Sequence, residues 1–525
     1  MDPRAARPYR QPASMPQPFS AQSAEDRRPT SAAAVQPGTA IAPPELTDIH
    51  ADLPPVAETP EFLAAEHQAT EPGTGNSLWG RLTRFVGLDA AIAFTVLARS
   101  WSALSGLLTL ALIARFLSPT EQGYYYTFYP LVNLQIIFEL GFSVVILQMA
   151  SHEAVHLTLH RDGRVDGPAR HAARLASTLG KALRWYSTAA LLLLLVLLPA
   201  GEHFFATHTI ASHAVVHWRG PWIVAAVATT FTFLLDPVFS FLEGCGYVPE
   251  VARARLAQAV TGSALGWSAL ALHHGLFAPG CIIGGQAVAG IAFLFTRRGL
   301  LRTLLRLPVA AADGISWRAD IWPFQWRMAI SWVCGYFTFQ LFTPILFARW
   351  GPVEAGRMGM SLNIAGAISA VSIAWMNTKA APFGQLIALR RFSELDRRFR
   401  QALTQSAAVN VFGALSVIAG ALLLAHRGYP LAGRLLAPLP LAMLLAGSVG
   451  NNIVSAEAMY LRAHKQEKFM LNSIIGALYT APMVWLLGRS HGAAGIAAGY
   501  LAGTLVIGLG FGTYTFQKYR RLWHA

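Results

Sequence analysis

The chain has 525 residues, of which 54% are apolar and only 13% are charged, and its mean hydropathy is +0.41. Soluble domains carry roughly 25% charged residues, so this composition predicts a membrane protein. The formal net charge is +14, but the basic residues recur in short clusters between apolar runs, so we expect no nucleic-acid partner. Cys245, Cys281 and Cys334 lie in or at the edge of apolar stretches without paired spacing, which predicts neither disulfides nor a metal cluster.

The first 77 residues differ from the rest of the chain. They are rich in Pro, Ala, Ser and Gln and lack a sustained apolar period, so they are predicted to form a disordered cytoplasmic tail. No apolar h-region followed by a cleavage site is present, which argues against a signal peptide. The stretch SLWGRLTRFVGL (77–88) mixes apolar and basic residues and predicts a short helix on the membrane surface.

From residue 89 onward, apolar segments of about 20 residues follow one another, each long enough to cross the hydrocarbon core. The sequence predicts an all-α polytopic membrane protein with twelve spans, in an N-lobe (78–310, spans one to six) and a C-lobe (311–525, spans seven to twelve). The predicted spans are 90–116, 123–150, 180–200, 221–243, 252–273, 277–296, 323–348, 355–380, 402–425, 434–456, 468–488 and 493–516.

The loops between spans differ in charge. One set carries Arg161, Arg164, Arg170, Arg174, Arg297, Arg298, Arg302, Arg306, Arg390, Arg391, Arg397, Arg398, Arg400, Arg462, Lys465 and Lys468. The alternate loops carry little more than Arg219, Arg349, Arg427 and Arg489. The Arg-rich set is expected to be cytoplasmic, with both termini inside, and an even number of spans requires the same. We expect a multi-pass protein of a bacterial inner membrane.

Two segments repeat after the first and seventh spans. ARFLSPTEQG (114–123) and ARWGPVEAG (348–356) both read A-R-aromatic followed by P-x-E-x-G. A separation of six spans predicts two lobes of the same orientation, related as parallel repeats. The alternative is two similar turns arising by chance, because Pro and Gly favour turns in any protein.

These segments carry a family resemblance over residues 89–518. LIARFLSPTEQG (112–123), LGFSVVILQMASHE (140–153) and the paired FLEGCGY (241–247) and YLRAHKQ (460–466) resemble the polysaccharide-transporter branch of the multidrug/oligosaccharidyl-lipid/polysaccharide exporter superfamily. The resemblance implies a flippase that carries a polyprenyl diphosphate-linked oligosaccharide to the periplasmic leaflet through a cavity between the lobes. It implies membrane lipids, a glycan polymerase and glycosyltransferases as partners, and no cofactor.

Two other functions stay open at this stage. One is a cation-coupled exporter of small molecules, including drugs, from the same superfamily. The other is a polytopic glycan polymerase or ligase, an enzyme class that usually carries a large periplasmic loop with catalytic groups. The longest periplasmic loop here, about 200–220, offers only His, Glu202 and Arg219, so we expect a transporter and not an enzyme.

The stretch HEAVH (152–156) matches the H-E-x-x-H pattern of zinc proteases, in which two histidines one helical turn apart bind the metal. His160 does not stand at the spacing of a third ligand, and Asp236 is the only candidate for the distant Asp that an intramembrane protease would need. A ladder of His152, His156 and His160 also fits an interfacial helix. We therefore expect no catalytic metal.

A second group of histidines lies in HFFATHTIASHAVVHW (203–218), with spacings of five, five and four residues. A helix would bring some of these imidazoles together, so weak metal binding is one interpretation. A loop without function is the other, and the sequence favours it.

Ionisable residues inside spans are candidates for function because they are costly to bury. Arg99 and Glu139 stand at matching depths in spans one and two, so they are predicted to pair. The alternative is that Arg99 lines the cavity and binds the substrate diphosphate through bidentate hydrogen bonds. The sequence leaves both interpretations open.

Further polar residues occur in the later spans. Asp236 and Glu139 are candidate ion-coupling residues, although Asp236 could also form only a helix-packing hydrogen bond. Arg327 either contacts the substrate or extends to the interface. The candidate substrate-binding residues of the cavity are Arg99, Arg327, Asn363, Asn451 and Asn452, and Asn377 adds another amide in span eight.

Overall fold

The structure is a computed structural model that describes residues 90–160, 162–208, 216–309, 314–377, 379–464 and 468–524. Within helices, the side chains of a few residues, among them Arg99 and Arg327, lie outside this description. The predicted tail (1–77) and the predicted surface helix (77–88) also lie outside the described residues.

The described part of the N-lobe contains nine α-helices. They are α1 (Ala90–Phe116), α2 (Pro119–Val132), α3 (Gln135–Glu139), α4 (Phe142–Ala154), α5 (Ala169–His208), α6 (Arg219–Gly244), α7 (Val248–Ala271), α8 (Ala278–Thr296) and α9 (Arg298–Arg306). A small antiparallel hairpin between α4 and α5 pairs β1 (Thr158–Leu159) with β2 (Val165–Asp166), with Leu159 opposite Val165. A 3₁₀ turn (Gly275–Phe277) precedes α8.

Eight α-helices lie in those parts of the C-lobe that the structure describes. They are α10 (Trp322–Phe339), α11 (Phe342–Trp350), α12 (Pro352–Asn377), α13 (Ala380–Ala388), α14 (Phe392–His426), α15 (Pro438–Ala463), α16 (Met470–Gly503) and α17 (Thr513–His524). π-helical segments run over Trp317–Ile321 and Thr504–Gly512, and a 3₁₀ turn covers Pro430–Arg434.

The described chain is a multi-pass membrane protein, and all twelve predicted spans fall on helices. Seven stretches are long and apolar enough to cross a membrane, and the bent α2–α4 segment makes an eighth. The last of these stretches, Met470–His524, holds two predicted spans that separate at Gly492, where φ is 61°. α1, α7 and α12 have 27, 24 and 26 residues, which exceeds the roughly 20 residues that a span requires.

The prediction of one continuous span over 123–150 is wrong. α3 ends at Glu139, and Leu140 and Gly141 both adopt the left-handed conformation, with φ of 53° and 69°. The two parts of the segment are bent by 45° relative to one another. Gly141 tolerates a positive φ without a steric cost, whereas Leu140 does not, so the surrounding packing must stabilise this break.

Span seven is also interrupted, between α10 and α11, at Gln340 and Leu341. In both lobes a helix (α1, then α11) ends at a Pro-containing turn, and α2 or α12 follows. At the first turn, Ser118 and Glu121 form a reciprocal capping box with Pro119 as the first helical residue. At the second turn, Gly351 (φ 87°) precedes Pro352. The repeated P-x-E-x-G motif therefore begins the corresponding helix of each lobe.

Candidate functional site: a cavity between the lobes

A cavity of about 1000 Å³ lies between α1 and α2 of the N-lobe and α10, α11 and α12 of the C-lobe. Both lobes contribute polar side chains to its wall. The residues that line it are Ser100, Ser102, Gly106, Tyr126, Tyr129, Pro130, Phe339, Gln340, Thr343, Gly359, Leu362, Asn363, Gly366, Ala367, Ala370, Val371, Ile373, Ala374 and Asn377.

Among the residues whose side chains are described, the wall of this central cavity is mostly apolar and carries scattered polar groups, none of them charged. Hydroxyl groups of serine, threonine and tyrosine and the amides of Gln340, Asn363 and Asn377 provide hydrogen-bonding groups. Tyr126 and Tyr129 add aromatic rings, and the Tyr126 hydroxyl has no hydrogen-bond partner among the described residues. Small residues, chiefly Gly and Ala on α12, leave the space open.

The structure places two of the predicted asparagines on the cavity. Asn363 lines it one turn after Gly359, and Asn377 lines it at the end of α12. Arg99 precedes Ser100, which lines the cavity, but its own side chain is outside the described residues, as is that of Arg327. Their predicted contact with substrate therefore stays a prediction.

The lobes meet closely at one end of the cavity, at the two copies of the repeated motif. An ideal Cβ on Gly123 would lie 1.9 Å from the carbonyl oxygen of Pro352, and one on Gly356 would lie 2.9 Å from the backbone nitrogen of Gly123. No side chain fits in this space, so glycine is required at both positions for the backbones to approach. This contact joins α2 directly to α12.

Arg434 and Gln122 strengthen the same contact. Arg434 Nη2 donates to the carbonyl oxygen of Leu117 at 2.6 Å, and Nη1 donates to Gln122 Oε1 at 3.2 Å. Gln122 Nε2 in turn donates to the carbonyl oxygens of Gly356 (2.9 Å) and Arg434 (3.2 Å). We call Gln122, Gly123, Pro352, Gly356 and Arg434 the seal, because these five residues close the end of the cavity.

Aromatic rings support the seal from the N-lobe side. The ring of Phe347 on α11 packs edge-to-face against Tyr124 on α2, with centroids 4.9 Å apart, and against Phe205 on α5, at 5.3 Å. All three side chains are buried. Further along, the Tyr336 hydroxyl donates to the carbonyl oxygen of Pro130 at 3.0 Å, which joins α10 to α2 beside the cavity.

The cavity extends away from the seal. The residues of α12 that line it run from Gly359, one turn beyond Gly356, to Asn377 at the end of the helix. At 1.5 Å per residue, this distance is about 27 Å, most of the thickness of the hydrocarbon core. The cavity is therefore closed at the end that carries Ser118 and Gly351 and reaches toward the end of the Arg-rich loops.

The other two predicted asparagines lie within the C-lobe. Asn451 lines a separate cavity of about 300 Å³ between α10, α15 and α16. Asn452 is buried, and its Nδ2 donates to Ser406 Oγ at 3.0 Å, while Ser406 donates to the carbonyl oxygen of Ser372 at 2.8 Å. Asn452 thus contributes to a polar seam that holds α12, α14 and α15 together.

Glu139 and Asp236, the predicted ion-coupling pair, lie close to one another in the N-lobe. Ser143 Oγ donates to Glu139 Oε1 across the break between α3 and α4. Arg255 on α7 acts electrostatically on both carboxylates, and its Nε lies 3.3 Å from Glu243 Oε1. The structure thus brings two acidic groups and one cation together beside a broken helix, apart from the central cavity.

The HEAVH motif does not lie on one helix face. α4 ends at Ala154, so the alternative of a histidine ladder on one helix is wrong. The ring of His156 lies tilted against that of His171, with centroids 4.2 Å apart. Glu153 accepts from His171 Nδ1 at 2.7 Å and from Arg174 Nε at 2.6 Å. Glu153 is therefore committed to joining α4 to α5, and its carboxylate is not aimed at a metal position.

The second histidine group lies at the other end of α5. His208 Nδ1 is 2.7 Å from the carbonyl oxygen of Phe204, one turn earlier on the same helix. The segment 209–215, including His213, lies outside the described residues. Among the residues that are described, no three His, Cys, Asp or Glu side chains are placed to hold a metal ion.

The sequence did not single out three groups that matter most here. Tyr126 and Gln340 line the cavity, and Arg434 closes the seal. Gln122 and Gly123 belong to the repeated motif, which was a detectable signal. Arg434 gave none, because its position at the edge of a predicted span is that of an ordinary interfacial arginine.

No protein-family model and no curated protein sequence matches the chain. Solved structures do resemble it. One is an inward-facing multidrug resistance MATE family transporter of the MOP superfamily (TM-score 0.51, 14% identity, 82% of this chain and 98% of that chain). Another is the lipid II flippase MurJ in an inward closed conformation (TM-score 0.51, 13% identity, 82% and 90%). The chain has the fold of these transporters. This fold confirms the all-α, two-lobed architecture expected from the sequence.

Proposed function

We propose that the chain is a flippase that moves a lipid-linked oligosaccharide from the cytoplasmic to the periplasmic leaflet by alternating access. The observation that carries the proposal is the central cavity, which lies between two lobes and sets uncharged hydroxyl and amide groups into a mostly apolar wall where it is described. Hydroxyl and amide groups match the many hydroxyls of a glycan, and the rings of Tyr126 and Tyr129 offer apolar faces to sugar C–H groups.

The composition of the wall favours a glycan over a cationic drug. A cation is held by carboxylates, and no carboxylate lies among the described lining residues. The Asn363 amide, exposed on the cavity wall, instead suits a neutral polar ligand. The MurJ neighbour, whose name describes a lipid II flippase, supports this choice, and the MATE neighbour makes export of another small molecule the alternative.

The seal gives the proposed cycle its two states. The loops rich in Lys and Arg are assigned to the cytoplasm, so the seal is assigned to the periplasmic side. The cavity then receives the head group from the cytoplasm. Export requires the contacts of Arg434 with Leu117 and Gln122 to break, and the Gly123–Pro352 contact to separate.

Arg99 and the acidic pair complete the proposal. Arg99 is assigned to the substrate diphosphate, because it precedes the cavity-lining Ser100 on α1. Arg327 has the same assignment from α10. Glu139 and Asp236 are assigned to the coupling ion, because their carboxylates lie together at the break between α3 and α4, where a change of charge can alter the helix bend.

The test is glycan export from cells of a bacterial strain that depends on the chain, normalised to its level in the inner membrane. Asn363→Leu should reduce export, because it places an apolar group where the glycan needs a hydrogen bond. Asn451→Leu is the matched control, since Asn451 lines the separate C-lobe cavity. Equal export by the two variants would contradict the assignment of the central cavity.

The role of Arg99 has its own comparison. If it contacts the diphosphate, Arg99→Ala combined with Glu139→Ala should remain inactive although the protein is present, and Arg99→Lys should restore only part of the activity. If Arg99 serves only to neutralise Glu139, the double variant should be more active than either single one, because a lone buried charge is the costly species. Full activity of the double variant would rule out the substrate role.

A further inference from the structure

Two histidines converge at the end of the C-lobe opposite the seal. His464 follows the last residue of α15, and His524 is the last residue of α17. Their Nε2 atoms lie 3.5 Å apart. This separation is at the long limit for a hydrogen bond, so a direct hydrogen bond between the two rings is weak.

The spacing fits two ligands of one metal ion. Zinc–nitrogen bonds are about 2.0–2.1 Å long. For an ion at that distance from both Nε2 atoms, the N–ion–N angle would be about 115°. This angle is close to tetrahedral. The two rings point at one another, with centroids 5.7 Å apart, so a rotation of each side chain would aim both Nε2 atoms at one ion.

The other nitrogen of each ring faces an oxygen. His464 Nδ1 lies 3.1 Å from the carbonyl oxygen of Tyr460, which can only accept, so the proton of neutral His464 resides on Nδ1. His524 Nδ1 lies 3.8 Å from Asp396 Oδ1. Metal-binding histidines are commonly oriented in this way, with Nδ1–H toward a carbonyl or carboxylate and the Nε2 lone pair toward the metal.

Aromatic packing holds both rings in place. His464 stacks on Trp523 with centroids 4.5 Å apart, and His524 stacks on Phe392 at 4.3 Å. Arg520 Nε, 3.3 Å from Asp396 Oδ2, fixes the carboxylate that faces His524.

We propose that His464 and His524 form a binding site for a divalent transition-metal ion such as Zn²⁺, which fastens α17 to the end of α15. Two ligands among the described residues bind the ion less firmly than the four of a structural zinc centre, so the site is exchangeable. Tyr460 borders the open coordination positions of the ion. Its hydroxyl lies 3.4 Å from His524 Nε2 and donates to Asp396 Oδ1 at 2.6 Å. The site is independent of the proposed transport activity.

The test is the number of Zn²⁺ ions bound per chain by the full-length protein purified in detergent, after equilibration with Zn²⁺ and removal of free ion. His464→Gln, His524→Gln and the double variant should each lose the same one ion. His491→Gln is the control, because His491 is exposed and bonds to the neighbouring Ser490. Equal binding by the wild type and all four variants would overturn the proposal.

A second measurement needs no variant and locates the ion. Hydrogen–deuterium exchange of residues 513–524 in the wild-type protein should slow when Zn²⁺ is added, because the ion joins the last turn of α17 to α15. Exchange near His203 and His208 on α5 reports Zn²⁺ bound at the other histidine group. If exchange slowed there and did not slow in residues 513–524, the His464–His524 pair would not bind the metal.

Discussion

Arg434→Ala should open the seal. In the structure this guanidinium belongs to the C-lobe but donates to the carbonyl oxygen of Leu117 and to Gln122 Oε1, both in the N-lobe. A hydrogen bond from a charged donor contributes about 1.5–3 kcal/mol. Because Arg434 is partly exposed, we take the lower value for each of its two inter-lobe bonds, which gives about 3 kcal/mol of stabilisation for the sealed state. That loss changes the ratio of sealed to open molecules by on the order of 100-fold.

The assay is the labelling of a cysteine in the cavity from outside the cell. Gly366→Cys suits this purpose, because Gly366 lines the cavity and an added Cβ there meets no atom within 4 Å. The three native cysteines are replaced by serine, and a membrane-impermeant maleimide is applied to intact cells. Arg434→Ala should raise the labelling rate by about one to two orders of magnitude.

Arg357→Ala is the matched control. Arg357 lies at the same end of the molecule, but its Nε donates to the carbonyl oxygen of Gly433 at 2.9 Å and its Nη1 pairs with Glu354, so both of its contacts stay within the C-lobe. The Arg357→Ala variant should be labelled at the same rate as the protein that carries Gly366→Cys without a seal substitution. If Arg434→Ala and Arg357→Ala label alike while both proteins reach the membrane, the inter-lobe role of Arg434 is refuted.

Three further changes have distinct expected results. Gly123→Ala should open the seal as well, because the added methyl overlaps a carbonyl of the opposite lobe, whereas Gly366→Ala should leave labelling and melting temperature unchanged. Glu153→Gln should weaken the bond to Arg174, reduce the free energy of unfolding by about 2 kcal/mol and so lower the melting temperature. Transport by this variant should persist. If transport were lost at a normal protein level, the metalloprotease interpretation would be restored. Asp236→Asn should make transport in vesicles independent of the imposed ion gradient, and an unchanged dependence would exclude Asp236 from coupling.

The fold was largely predictable because apolar length is a strong signal in a membrane protein. All twelve predicted spans fall on helices, and the repeated P-x-E-x-G motif marks the contact between the lobes. The break at Leu140 and Gly141 was not predictable, since Leu140 has no intrinsic preference for positive φ and only tertiary packing places it there.

The candidate site was predictable only in part. Depth along a helix can be counted in the sequence, but the direction of a side chain around the helix depends on packing. Asn363 and Asn451 therefore looked alike, although one lines the central cavity and the other lies inside the C-lobe. Asn452 and Glu153 are engaged in helix packing, which composition cannot distinguish from binding.

The central claim is that a lipid-linked glycan crosses the membrane through the central cavity. The most direct measurement uses proteoliposomes that contain a polyprenyl diphosphate oligosaccharide with a labelled glycan, and follows glycan accessible to an external glycosidase. We expect the wild-type chain to make the glycan that faces the vesicle interior accessible to the external glycosidase. Asn363→Leu should do so more slowly, and Asn451→Leu should not differ from the wild type. A protected pool that stays inaccessible, as in protein-free vesicles, would contradict the flippase assignment.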